Sequence, residues 1–280
     1  MKIKILQEIW DKIRNKPTFT KLLVYKYFGY LQNAQNVHTL ILGSSHLANG
    51  YYPQEGEYNF ALPSQDLYYA YNLYKKLNQK SLKNIIIAFS VFTPGLSIIR
   101  TKCSDLCVPY KVLMNINYQD AEVAQSKNLF ESEKIIEKEI ELYKKNLKIP
   151  ENYFGNLLRF PGAKFNSEKA QKRALGHYKN NQREISQIDF CAKIIEEARV
   201  NNQKVYFVLP PCTKEYRKAL PETKKVFEVL YQLVEQNDNA EILNYYDKDL
   251  FDKSEYSNED HLNRKGAIKL AKLVREDINA

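Results

Sequence analysis

Two short segments near opposite ends of the 280-residue chain carry side chains that could form an activated nucleophile. The first, HTLILGSSHLANG (His38 to Gly50), reads as a buried strand, His38 to Leu42, that breaks at Gly43 and presents Ser44, Ser45 and His46 on a tight turn. The second, EDHLNRKGA (Glu259 to Ala267), sets Asp260 and His261 just ahead of a helix. A serine hydroxyl becomes a useful nucleophile when an imidazole takes its proton, and a carboxylate behind the imidazole holds its orientation and offsets its charge. Ser45, His261 and Asp260 supply those three parts. Only a fold that returns the C-terminal segment to the first strand can unite them, and open parallel α/β sheets bind their ligands at the carboxyl ends of the strands.

Each of these residues also has a plain structural use. Ser44 and Ser45 could cap the next helix by accepting from its unpaired N–H groups. His46 is either a donor behind the site or a polar residue of the turn, and the turn role is the commoner one; His38 and His177 read as structural. The Gly43–His46 turn could also hold a phosphate at a helix N-terminus, but it has one glycine, no Walker lysine and no GxGxxG. Cys103 and Cys107 are spaced CxxxC, which matches no common zinc pattern, and with Cys191 and Cys212 they read as idle thiols. No metal and no organic cofactor are expected.

Positioning these groups falls to an alternation of strands and helices. HTLIL, EYNF ending at Phe60, KNIIIAFS (Lys83 to Ser90), KVYFVLP (Lys204 to Pro210) and AEILNYY from Ala240 read as strands. KNIIIAFS is apolar throughout, as a strand buried on both faces would be. Helices are expected over SQDLYYAYNLYKKLN, QREISQIDFCAKIIEEARVNN, TKKVFEVLYQLVEQND and GAIKLAKLVREDI. This rhythm predicts an α/β fold, a flavodoxin-like doubly wound parallel sheet of about five strands. It lapses between Thr101 and Lys179, where a charged helix places Ile136, Ile140, Tyr143 and Leu147 at heptad-like spacing. The expectation is a single domain over 1–280, with an N-terminal helix at 1–30 and a helical cap inserted at about 101–180.

The net charge of +9, from 42 Lys and Arg against 33 Asp and Glu, suits an anionic partner or a solvated lysine-rich surface. No basic cluster sits beside a nucleic-acid reading motif, so no nucleic-acid partner is expected. Charges run through the first seventeen residues and no stretch approaches ~20 apolar residues, so neither an export signal nor a membrane span is expected. A cytoplasmic protein follows as the expectation. Leu6, Ile9, Trp10 and Ile13 share one helical face, suited to packing on the domain or to peripheral contact with a membrane.

In this order the segments resemble the SGNH/GDSL hydrolase superfamily, in the branch of carbohydrate esterases and O-acyltransferases. LGSSHLANG stands where that family has its GDS block, which implies Ser45 as nucleophile. YNFALPSQ is similar to the second block: Asn59 stands at its start, and Ser64 takes the place of a glycine whose backbone N–H binds the oxyanion. AFSVF corresponds to the block that usually supplies an oxyanion asparagine; none is present, and Ser90 is the nearest substitute. DHLNRKGA matches the last block, which implies His261 as general base. The family's acid lies three residues before that histidine, a position held here by Asn258. Asp260 is adjacent instead, and in a turn it could reach the imidazole or cap the helix beginning near Gly266. Two functions are therefore carried forward. One is a serine-dependent ester hydrolase or O-acyltransferase acting on an acylated, in the first instance acetylated, carbohydrate or surface-polysaccharide precursor. The other is an eroded glycan-binding or polysaccharide-biosynthesis accessory protein on the same fold.

Overall fold

The five apolar segments form one parallel sheet in the computed structural model, which describes residues 18–78, 80–156, 167–180, 187–220 and 223–280. The Leu6–Ile13 face and most of the expected helix at 1–30 lie outside those residues. The strands are β1 (Thr39–Leu42), β2 (Glu57–Asn59), β3 (Asn84–Ala88), β4 (Lys204–Leu209) and β5 (Ala240–Asn244). The helices are α1 (Phe19–Asn33), α2 (Ser45–Gly50), α3 (Leu67–Leu77), α4 (Cys107–Met114), α5 (Ala121–Ser126), α6 (Leu129–Lys145), α7 (Ser167–Asn180), α8 (Ile188–Val200), α9 (Lys214–Lys218), α10 (Thr223–Glu235) and α11 (Arg264–Ile278). Contacts divide the chain into two units, Gly29–Ile98 with Glu151–Ala280, and Met1–Phe28 with Ile99–Pro150.

The first unit holds the sheet, ordered β2-β1-β3-β4-β5, with every neighbouring pair parallel. This is the flavodoxin-like order, and the order of its strands reverses beside β1, at the crevice where such sheets bind ligands. Alternate residues of a strand point to opposite faces. Ile41, Ile86, Val208 and Leu243 accordingly pack with Leu47 and Ala48 of α2 and Leu270, Ala271 and Val274 of α11. The other face is covered by α3 and α8 through the buried Leu73, Ala70, Ile194 and Ala198. Removing these side chains from water stabilises the layers by roughly 25 cal/mol per Å² of apolar surface. The central strand β3 is apolar because both faces are covered; edge strand β5 is only partly buried and carries Glu241 outward.

The second unit is helical. Here α4 packs on α6, and Ile140 is buried while Ile136, Tyr143 and Leu147 are half-buried, so the heptad-like stripe faces inward. Asp120 caps α5 by accepting from the Val123 N–H at 3.0 Å and pairs with Arg100. The compact division falls at Pro150. Helix α7 lies in the unit that holds the sheet.

Candidate active site

The turn after β1 exists because position 43 is glycine. Gly43 has φ +109°, and a Cβ there would lie 2.8 Å from Ala88 Cβ and 2.9 Å from its backbone nitrogen, below any normal contact. The turn is fastened to the segment after β2. Gly43 N–H donates to Gln65 Oε1 at 2.6 Å, and Leu62 N–H donates to the Gly43 carbonyl at 3.0 Å. Ser44 occupies the N-cap position of α2 but makes no side-chain cap, and its hydroxyl instead meets His46 Nδ1 at 3.2 Å. Half-buried Ser45 is the first residue of the helix.

The histidine arrives on a tight loop before α11. Tyr256 and Leu262 form an antiparallel bridge, and Ser257 N–H donates to the His261 carbonyl at 2.8 Å. Asn258 Oδ1 accepts from the N–H groups of Asp260 (3.1 Å) and His261 (2.9 Å), which curls the backbone between them. Asn263 caps α11 through Lys265 and Gly266, so Asp260 is not the cap. The loop is tied to the end of β4, where Thr213 donates its N–H and its hydroxyl to the Glu259 carbonyl, each at 2.9 Å.

These two anchored turns bring Ser45 Oγ to 2.8 Å from His261 Nε2. If the serine donates, Nε2 is the acceptor and Nδ1 must carry the ring proton. Nδ1 faces Asp260 Oδ1 at 3.0 Å and Asn258 Oδ1 at 3.2 Å, so one N–H is shared between a carboxylate and an amide oxygen. Both of the alternatives left open by the sequence thus reach the imidazole. Arg173 Nη2 also lies 3.3 Å from Nδ1, but two donors cannot bond each other, so the guanidinium's partner is Asp260. Arg173 Nε is 2.5 Å from Asp260 Oδ1, yet the N–H points off the oxygen, which makes this an ion contact rather than an aligned hydrogen bond.

Sequence reasoning did not find Arg173 and gave His46 and His177 structural roles. Arg173 and His177 lie four apart on α7, on one face beside the buried Ala170 and Ala174, and that spacing was the available signal. His46 stacks on His261 with ring centres 4.6 Å apart, and its Nε2 lies 3.3 Å from Asp260 Oδ2. His177 Nδ1 is 3.6 Å from the same oxygen and 2.5 Å from Tyr216 Oη, and the Phe92 ring contacts both the His46 and the His177 rings. Burial lowers the pKa of His46 against the opposing pull of Asp260, and it lowers His177 to about 4. Burial would raise Asp260, but the charge and hydrogen bond of His261 together with His46 outweigh it and hold the carboxyl well below the usual range. The site is therefore one buried anion ringed by imidazoles and one guanidinium.

Ser64 has φ +60°, a left-handed conformation that favours glycine. Among the described residues, no backbone hydrogen bond takes up the N–H of Ser45 or of Ser64. Ser90 follows β3, but its N–H donates to Thr93 Oγ1 at 2.9 Å and its hydroxyl lies 3.1 Å from the same atom. Both Ser90 groups are thus engaged within their own turn. His46, Asp260 and His261 place ligand atoms within 4.8 Å of one another, as a metal ion would need. The Arg173 cation already on Asp260 competes with any such ion for the carboxylate.

No protein-family model matches the chain, and no curated protein matches it in sequence. Among solved structures, it is similar to a Bacteroides fragilis protein provisionally described as an acylhydrolase. That likeness covers 89% of this chain and 94% of the other, at 10% identity and a TM-score of 0.39. At that identity and score it bears on neither activity nor substrate.

Proposed function

We propose that this chain is a serine-dependent acyl-ester hydrolase or O-acyltransferase of the SGNH/GDSL type, acting on an acylated, in the first instance acetylated, carbohydrate. The observation that carries the reading is the 2.8 Å contact between Ser45 Oγ and His261 Nε2, with Asp260 Oδ1 3.0 Å from the opposite ring nitrogen. In the first step Ser45 Oγ attacks the ester carbonyl as its proton passes to His261 Nε2. Asp260, held anionic, stabilises the imidazolium so formed. The carbonyl oxygen gains negative charge and takes donors from the backbone N–H groups of Ser45 and Ser64, neither of which has a backbone acceptor among the described residues. Collapse expels the alcohol, which takes the proton back from His261 and leaves an acyl-serine. Water as the second acceptor gives hydrolysis, and a sugar hydroxyl gives transfer.

The +9 charge favours an anionic glycan over a neutral one. The engaged Ser90 favours the second reading, an eroded glycan-binding relative. Each oxyanion donor is worth ~10²–10³ in rate, so an enzyme with two donors should be slow even on activated esters. Fluorophosphonate labelling followed by peptide mass analysis decides between them. The expected result is a single adduct on Ser45 that is absent in Ser45→Ala, with p-nitrophenyl acetate turnover lost in the same variant and partly kept in Ser44→Ala. Turnover equal in Ser45→Ala and wild type would sink the enzymatic reading. Acetate release from acetylated glycans, measured with and without a sugar acceptor, then separates hydrolysis from transfer.

A further inference from the structure

Asp260 Oδ2 is buried and has no in-line hydrogen bond, although a carboxylate oxygen out of reach of water needs donors. Two ring nitrogens lie near it, His46 Nε2 at 3.3 Å and His177 Nδ1 at 3.6 Å. His177 Nδ1 is already engaged: Tyr216 Oη lies 2.5 Å away, burial keeps that phenol protonated, and the nitrogen accepts when the hydroxyl is turned toward it. A nitrogen that accepts from Tyr216 has no proton for Asp260. His46 is left. Its other nitrogen, Nδ1, meets the Ser44 hydroxyl at 3.2 Å, and a neutral ring that accepts there carries its proton on Nε2, facing Asp260.

We propose that His46 donates its Nε2–H to Asp260 Oδ2 and is a positioning residue for the Ser45–His261 pair. The resulting chain runs Ser44, His46, Asp260, His261, Ser45, with one carboxylate serving two histidines through its two oxygens. The need for it is local. An acid next to its histidine in sequence would point to the opposite side of an extended backbone, so Asp260 must be held onto the His261 ring from outside its own loop. His46 does so from the nucleophile's helix, stacked on His261 and only 5% exposed. The loop holding Asp260 is thereby registered against the turn holding Ser45. The charged and titratable groups facing His46 are Asp260 and His261 from the loop, and Arg173 and His177 from α7; Ser44 and Phe92 complete its surroundings.

The kinetic consequence rests on the serine-ester reading above, whereas the proton position does not, so two measurements separate the failures. With only four histidines in the chain, ring ¹⁵N NMR can assign each tautomer in the intact wild-type protein. The expected spectrum at neutral pH has His46 neutral with its proton on Nε2 and His261 protonated on Nδ1. A proton on His46 Nδ1 would overturn the proposal whatever the protein does to esters. In the kinetic arm, His46→Leu removes the donor, while His46→Gln keeps an amide N–H near the place of Nε2. His46→Leu should slow fluorophosphonate labelling and p-nitrophenyl acetate kcat roughly 10–100-fold, short of the ~10⁴ lost with a triad Asp. KM should hold, the acid limb of the pH–rate profile should move, and His46→Gln should recover most of the loss. Labelling of His46→Leu within about twofold of wild type, with an unmoved profile, would also overturn it. If His46→Leu fails to fold, the His46→Gln profile and the wild-type spectrum decide. A wild type that takes no label sinks the ester reading alone, and the spectrum still judges the His46–Asp260 bond.

Discussion

Two aspartates of the sheet unit, Asp66 and Asp260, are equally withdrawn from solvent at 1% exposure, and their acidities move in opposite directions. Asp66 caps α3, accepting from the N–H groups of Tyr69 (3.0 Å) and Ile98 (2.8 Å), and burial outweighs those bonds to push it up to about 6. Asp260 pays the same burial penalty but faces His261, His46 and Arg173, and it stays well below the ordinary carboxyl range. Neutral amide dipoles satisfy a carboxylate without countering its charge; groups that can hold positive charge do both. Burial therefore does not set the role of a carboxylate. Its partners do, and they leave Asp66 a structural cap with a raised pKa and Asp260 a fixed anion.

The largest effect that tests this contrast is on rate. Asp260→Asn keeps the shape and removes the charge, so acylation of Ser45 should fall by up to ~10⁴. Asn258→Ala should cost less, since Asn258 Oδ1 chiefly holds backbone N–H groups. A rate for Asp260→Asn within tenfold of wild type would mean that the amide oxygen supports the imidazole unaided.

Asp66→Asn should do the reverse. One acceptor oxygen becomes a donor beside the Tyr69 or Ile98 N–H, costing about 1–3 kcal/mol in urea unfolding. Fluorophosphonate labelling of the folded variant should proceed at the wild-type rate. A parallel loss of labelling would join the two aspartates in one function and end the contrast.

The pH dependence of stability follows from the same shifts. His177 and His46 have lowered values, so between pH 6.5 and about 4 the unfolded chain binds their protons more readily and stability falls as pH falls. Asp66 has a raised value and acts oppositely, since its folded form takes the proton first as pH drops below about 6. Each uncompensated proton contributes a slope of roughly 1.4 kcal/mol per pH unit. Asp66→Asn removes the compensation and should steepen the loss across that window. Below the ordinary carboxyl range the contribution of the depressed Asp260 is lost as well. Urea unfolding at pH 6.5, 5.5 and 4.5 measures the slopes, and equal slopes in wild type and Asp66→Asn would contradict the shift at Asp66.

The smallest effect lies two residues before Asp66. Ser64→Gly relieves a left-handed serine but loosens the unfolded chain, so stability should change by less than about 1 kcal/mol. Labelling should persist. Ser64→Val should cost more, because a β-branched residue is strained at that φ.

Local pattern was enough for much of this molecule. Five apolar runs between amphipathic helices specified the strands to within a residue or two, and a lone glycine after β1 marked the turn. Residue type and position singled out Ser45 and His261. The curl of the loop from Tyr256 to Leu262, which turns Asp260 back onto the ring beside it, depends on a bridge and on the Asn258 side chain, neither of which has a periodic signature. The Arg173, His46 and His177 ring around Asp260 is invisible for a related reason. It joins a helix, a turn and a loop that are distant in sequence, and in each segment the residue looks like an ordinary polar side chain. Periodicity reports which face of an element leaves water, because every residue on that face pays the same solvation cost. The partners of a buried charge are set only once three-dimensional packing has decided which donors lie within about 3 Å of it.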